Sequence, residues 1–165
     1  MIKLTVTDGG ATQEGFLNEW NDCSVRALAL STGIGYAKAH SLLKAEGRRN
    51  RRGTKLRMIR RALEKIGQFQ ELTPSGPIGG YLTRPRYPTL QDTVRKYSTG
   101  RYLIVATGHA LALIDGIVHD KGQISGPRSR VRNIFRITLT EPVSTIPNQS
   151  QINELWARLD KLEGK

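Results

Sequence analysis

The dipeptide Asp115-Gly116, set between the apolar runs His109–Ile114 and Ile117–Asp120, is the strongest hairpin signal in the chain. A two-residue turn there pins the register, placing Ile114 opposite Ile117, Leu113 opposite Val118, Ala112 opposite His119 and Leu111 opposite Asp120. Side chains alternate along a strand, so His109, Leu111, Val118 and Asp120 project on one face, with Asp120 diagonally across from His109. A carboxylate in that place can accept a hydrogen bond from the imidazole and hold its tautomer. Asp115 is accounted for by its turn, and His119 points to the opposite face.

The segments before the hairpin read as helices. Asn21 or Asp22 is the natural N-cap of a helix that starts at Cys23 and stops at Gly33, buried along Val25, Leu28 and Ala29. Tyr36 to Glu46 forms a second, with Ala39, Leu42 and Leu43 inward and His40 on its outer side. Thr54 caps a third, whose stripe is Leu56, Ile59, Leu63 and Ile66. A strand is expected over Met1–Val6 and another over Gln68–Leu72, followed by a long connection rich in Pro and Gly from Pro74 to Pro88. Thr89 caps a short helix through Tyr97. After it come a strand at Tyr102–Ala106, the hairpin, and a strand at Arg130–Leu139. That last strand should bury Val131, Phe135, Ile137 and Leu139 and turn Arg130, Arg132, Ile134 and Arg136 outward. The expected class is α+β, an N-terminal helical half packed on a C-terminal antiparallel sheet over residues 1–140. Residues 141–165 form a linker and an amphipathic helix with Ile152, Leu155, Trp156, Leu159 and Leu162 on one stripe. That helix docks back on the domain or, over residues 150–163, binds a partner or a second copy.

Composition narrows the chemistry. One cysteine in 165 residues excludes an intrachain disulfide, and three scattered histidines offer no zinc-ligand spacing, so neither a metal nor another cofactor is expected. The amino terminus lacks the apolar run of a secretory signal, and no stretch approaches the roughly 20 apolar residues that span a bilayer. A reducing cytosol is the expected setting. Net charge is +12, concentrated between Gly47 and Arg61 in Arg48, Arg49, Arg51, Arg52, Lys55, Arg57, Arg60 and Arg61 with no acidic residue among them. Such a field draws polyanions, including nucleic acid and acidic protein surfaces.

The chemistry that stands out needs a thiol of depressed pKa, an imidazole within reach, a group orienting that imidazole and a donor for a developing oxyanion. Cys23 sits at a helix N-terminus, where the dipole and free backbone N–H groups favour thiolate. His109 is the base and Asp120 its orienting partner. Asn18 is the first candidate for the oxyanion donor together with the Cys23 N–H, with Gln13 and Asn21 as alternatives.

The order Cys, His, Asp, carried by Asn21-Asp22-Cys23-Ser24-Val25-Arg26, Arg52-Gly53-Thr54 and Gly108–Asp120, resembles the papain-like cysteine peptidase superfamily. The likeness is to small phage- and mobile-element-encoded members, similar in compactness to the bacteriocin-processing peptidases, and it spans about residues 15 to 125. Asp22-Cys23-Ser24 also resembles the start of the NlpC/P60 signature, but Val25 stands where that signature has glycine. The glutamine that papain-type enzymes place six residues before the cysteine falls on Leu17. The resemblance implies a papain-like fold, a peptidase or isopeptidase acting on a peptide or protein through a thioester, and a phage protein working in the host cytoplasm or carried in the virion. The alternative is a basic nucleic-acid or polyanion binder on an inactive peptidase-like scaffold, gripping through Arg48–Arg61 and Arg128–Arg136.

Overall fold

The computed structural model describes residues 2–67, 69–72, 87–122 and 126–139. The expected C-terminal helix, its linker and most of the Pro- and Gly-rich connection lie outside the described residues. Within them the class is mixed α+β. In chain order the elements are β1 (Lys3–Val6), α1 (Cys23–Thr32), α2 (Tyr36–Ala45), α3 (Leu56–Ile66), β2 (Phe69–Leu72), α4 (Leu90–Lys96), β3 (Arg101–Ala106), β4 (His109–Ile114), β5 (Ile117–Asp120) and β6 (Val131–Ile137).

The strands form one six-stranded sheet in the order β1-β5-β4-β3-β6-β2. The β4–β5 hairpin has the expected register, with Ile114 opposite Ile117, Leu113 opposite Val118 and Ala112 opposite His119. Its turn is held by positive φ at both Asp115 (47°) and Gly116 (75°), the primed geometry that matches strand twist. The sheet is mixed rather than antiparallel throughout, because β1 pairs in parallel with β5 and brings Val6 beside Asp120. A parallel pairing needs a long crossover, and here nearly the whole chain between β1 and β5 supplies it.

Each face of the sheet carries its own core. On one, α1, α2 and α3 pack through Val25, Leu28, Tyr36, Leu43, Ile59 and Leu63 onto Leu103, Ala110, Phe135 and Ile137. On the other, Leu90, Val94 and Tyr97 of the α4 region cover Tyr102, Ile104, Leu111, Leu113, Val118 and Ile134. Arg130, Arg132 and Arg136 are exposed and Val131, Phe135 and Ile137 buried as expected, but this second cover buries Ile134, 1% exposed and expected outward, whereas Leu139, expected inward, is exposed. The alternation itself breaks: the register with β3 shifts so that Ala106 faces Val131 while Val105 faces Asn133. The residue added at Arg132 puts Val131 in the second core while Phe135 and Ile137 stay in the first.

Helix α1 runs along β4 and lies beneath α2, so Ser24 through Ala29 are all buried rather than a single stripe. It ends at Gly33, whose φ of 74° is the left-handed cap that glycine adopts without strain. The expected Thr89 cap is present as a full capping box with Asp92. Thr54 does not cap α3. Its hydroxyl pairs with that of Ser24 and ties the approach to α3 to the first turn of α1. Among the described residues no helix is long and apolar enough to cross a membrane.

Candidate active site

Three elements meet at one end of the sheet. Asn21, with a left-handed φ of 55°, turns the chain into α1 and donates its side-chain amide to the Arg51 carbonyl. The Asp22 carbonyl accepts the first intrahelical bonds, from Val25 and Arg26, so the N–H groups of Cys23 and Ser24 lie in the helix's unpartnered first turn. Asp22 holds the N-cap position without using its side chain as a cap. Its carboxylate instead receives the Arg26 guanidinium and, at 2.8 Å, the Tyr36 hydroxyl.

His109 is placed by a tight turn. Ala106 pairs with His109 across Thr107-Gly108, and the φ of 74° at Gly108 lets the chain reverse in two residues. The imidazole Nε2 bonds Asp120 Oδ2 at 2.6 Å, the contact expected from the hairpin register. That leaves Nδ1 as the nitrogen for the Cys23 thiol, which the imidazole neighbours. Asp120 is buried, and its second oxygen accepts the Lys121 N–H at 2.8 Å and lies 3.7 Å from Arg26 Nη2. Arg26 thus stands between two buried carboxylates, Asp22 and Asp120.

The electrostatics follow from these contacts. Burial of the Cys23 thiol opposes ionisation, but its interactions with His109 and with the Ala110 N–H, and the charges of His109 and Arg26, outweigh it and set the thiol below its ordinary pKa. The hydrogen bond to Asp120 and the interaction with Cys23 raise His109 to about 9, against a smaller opposing effect of burial. Desolvation pushes Asp120 upward, yet His109, the Lys121 N–H and Arg26 together hold it below the usual carboxylate range. Both shifts favour a thiolate beside an imidazolium over the neutral pair. For His119, burial and the Arg101 charge lower the pKa, and its strand position keeps it apart from this cluster.

Cys23 and His109 form the ridge of an open cleft with a lobe on each side. One lobe, of about 370 Å³, is polar and is walled by Trp20, Asn21, Arg26 and Lys121. The other, of about 360 Å³, has an apolar floor of Ile59, Val105, Ala106 and Ala110, with Thr54 and Lys55 at its margin. Asn18 does not line either lobe: it is exposed, and its carbonyl accepts the Arg51 Nε at 3.1 Å, so the loop holds it away from the thiol. Gln13 is also exposed and outside both lobes. Asn21 lies on the rim. The oxyanion donor that the geometry offers is the N–H end of α1 itself.

The basic run divides on inspection. Arg48 is 2% exposed and is paired, with His40, to Glu19 at 3.2 and 3.1 Å, so it is an internal cation rather than part of a binding face. His40 likewise turns inward, between Phe16, Tyr36 and Glu19. Arg51 donates its backbone N–H to Glu19 and stacks its guanidinium over Trp20 at 4.5 Å. Arg60 makes a two-pronged pair with Glu71, and Arg61 lies 3.9 Å from Glu46. Arg49, Arg52 and Arg57 remain exposed, on the loop before α3 and in its first turn. Arg26, Trp20 and Lys121 are the site residues that sequence reasoning did not single out. The four-residue spacing of Asp22 and Arg26 was the visible signal for the first, whereas nothing local marks the other two.

No protein family, curated protein or solved structure among those compared matches the chain.

Proposed function

We propose that this chain is a cysteine hydrolase of papain-like type, acting on a peptide, isopeptide or related acyl bond. The observation that carries the proposal is the Cys23–His109–Asp120 constellation at an open cleft, with the 2.6 Å His109–Asp120 bond orienting the ring toward the thiol. In the reaction the Cys23 thiolate forms a bond to the acyl carbon, and the oxyanion is stabilised at the N-terminus of α1. His109 passes its proton to the leaving amine as the carbon–nitrogen bond breaks, giving a thioester. Water then attacks, His109 takes its proton, the carbon–sulfur bond breaks and the thiolate returns. Asp120 keeps the ring in the productive tautomer, and the His109 bond, the Lys121 N–H and Arg26 together favour its ionised form. The setting we propose with it is a reducing cytoplasm, that of the host for a phage-borne chain, where this one thiol stays free.

Replacing Cys23 with Ala should abolish hydrolysis and labelling by thiol-directed acyl probes while leaving thermal unfolding unchanged within a few degrees. Equal labelling of the variant would refute the assignment.

A second reading, polyanion binding on an inactive scaffold, draws on the exposed Arg49, Arg52, Lys55 and Arg57. It is narrower than the sequence suggests, because Arg48 and Arg60 are already engaged with carboxylates. It predicts nucleic-acid binding that falls steeply with salt and is indifferent to Cys23→Ala.

A further inference from the structure

The two lobes beside Cys23 differ in chemistry, and the difference specifies a substrate. The polar lobe is lined by one carboxylate, Asp22, already committed to Arg26 and the Tyr36 hydroxyl, and Asp120 behind His109 is likewise committed, to His109 and the Lys121 N–H. Neither is free to receive a cation. Lys121, by contrast, is an exposed residue of this lobe, and among the described residues no carboxylate forms an ion pair with it. Trp20, half-exposed at 54%, lines the same lobe and carries the Arg51 guanidinium over its ring. The apolar lobe is floored by Ile59, Val105, Ala106 and Ala110, small or branched aliphatic groups that leave room for an aliphatic side chain. Lys55 makes its margin basic as well.

Resting on the hydrolase assignment, we propose that the cleft selects acidic peptides: an acidic residue enters the Trp20–Lys121 lobe while an aliphatic residue fills the Ile59–Val105 lobe. Lys121 is the specificity-determining residue. A carboxylate in the first lobe gains from Lys121 without displacing an existing ion pair, whereas a basic side chain meets like charge there. The surplus of basic residues around the cleft also raises the local concentration of acidic chains, an effect that salt screens.

The test is the second-order rate at which Cys23 of the full chain is alkylated by chloroacetyl derivatives of glutamate amide, glutamine amide, lysine amide, valine amide and tryptophan amide, with Cys23→Ala as the blank. The expected order places the glutamate compound about tenfold above the lysine compound, with valine above tryptophan. Lys121→Glu should bring the glutamate-to-lysine ratio to one or below, and 1 M salt should shrink it in the native protein. Arg95→Glu, on α4 at the opposite face, is the control and should leave the ratio unchanged. Labelling of Cys23 with no preference between glutamate and lysine, or a preference that survives Lys121→Glu, overturns the specificity proposal while leaving the hydrolase standing. No labelling above the Cys23→Ala blank by any compound removes the hydrolase assignment and this proposal with it.

Discussion

The proton on His109 is held from two sides, by Asp120 at Nε2 and by the neighbouring Cys23 thiol. Both raise the imidazole, and the imidazolium in turn lowers the thiol. Two consequences can be measured. Hydrolysis should fall on the alkaline side near pH 9, where the imidazolium loses the proton that the leaving group needs, and on the acid side below the ordinary cysteine range, where the thiolate is protonated. In His109→Ala the pH dependence of Cys23 alkylation should move to higher pH, because burial then opposes ionisation without the imidazolium to offset it. Asp120→Asn should move the alkaline limb to lower pH. The residues of this triad were legible because a turn dipeptide sets a strand register, and register decides which side chains share a face. Asn18 was not, since the course of the loop that carries it depends on Arg51, thirty-three positions away in sequence.

Helix α1 does two tasks at once: it packs the main core on nearly every side and presents Cys23 at its first position. Arg26 couples them, since it neutralises Asp22 at the helix start and Asp120 on β5. Arg26→Met should destabilise the fold by about 3–5 kcal/mol in denaturant unfolding, because it leaves two buried carboxylates without their cation. Arg60→Ala, at the solvent-exposed pair with Glu71, should cost about 0–1 kcal/mol in the same assay. Glu14 caps α2 from the preceding loop, accepting the backbone N–H groups of Tyr36 at 2.9 Å and Ala37 at 2.7 Å. Glu14→Ala should cost about 0.5–2 kcal/mol, the range of a lost helix cap. Helical periodicity found α1, α2 and α3, yet it put His40 on the outer side of α2, and the charge run put Arg48 on a binding face. Periodicity reports the apolar face of a helix but not the loop that folds over the other face, and here Glu19 on that loop supplies the partner that makes burying both cations tolerable.

For the whole molecule, the raised pKa of His109 links stability to pH. Its contribution is fully present below the unfolded histidine value of about 6.5 and is lost as pH rises through about 9. The gap in melting temperature between the native protein and Asp120→Asn should therefore narrow over that interval, which a pH series of thermal unfolding would read. The amino-acid sequence by itself determined the α+β class, the positions of the helices, the β4–β5 register and the pairing of His109 with Asp120, all of which are governed by contacts within a few tens of residues and by local rules of periodicity and turns. The tertiary structure alone decided that β1 adds in parallel beside β5, that α4 covers the second face and buries Ile134, and that Arg48 is an internal cation. It also decided that Arg26, Trp20 and Lys121 flank the thiol. Each of these depends on which distant surfaces pack together, and a charged or apolar side chain carries no local mark of whether a partner from elsewhere in the chain will cover it.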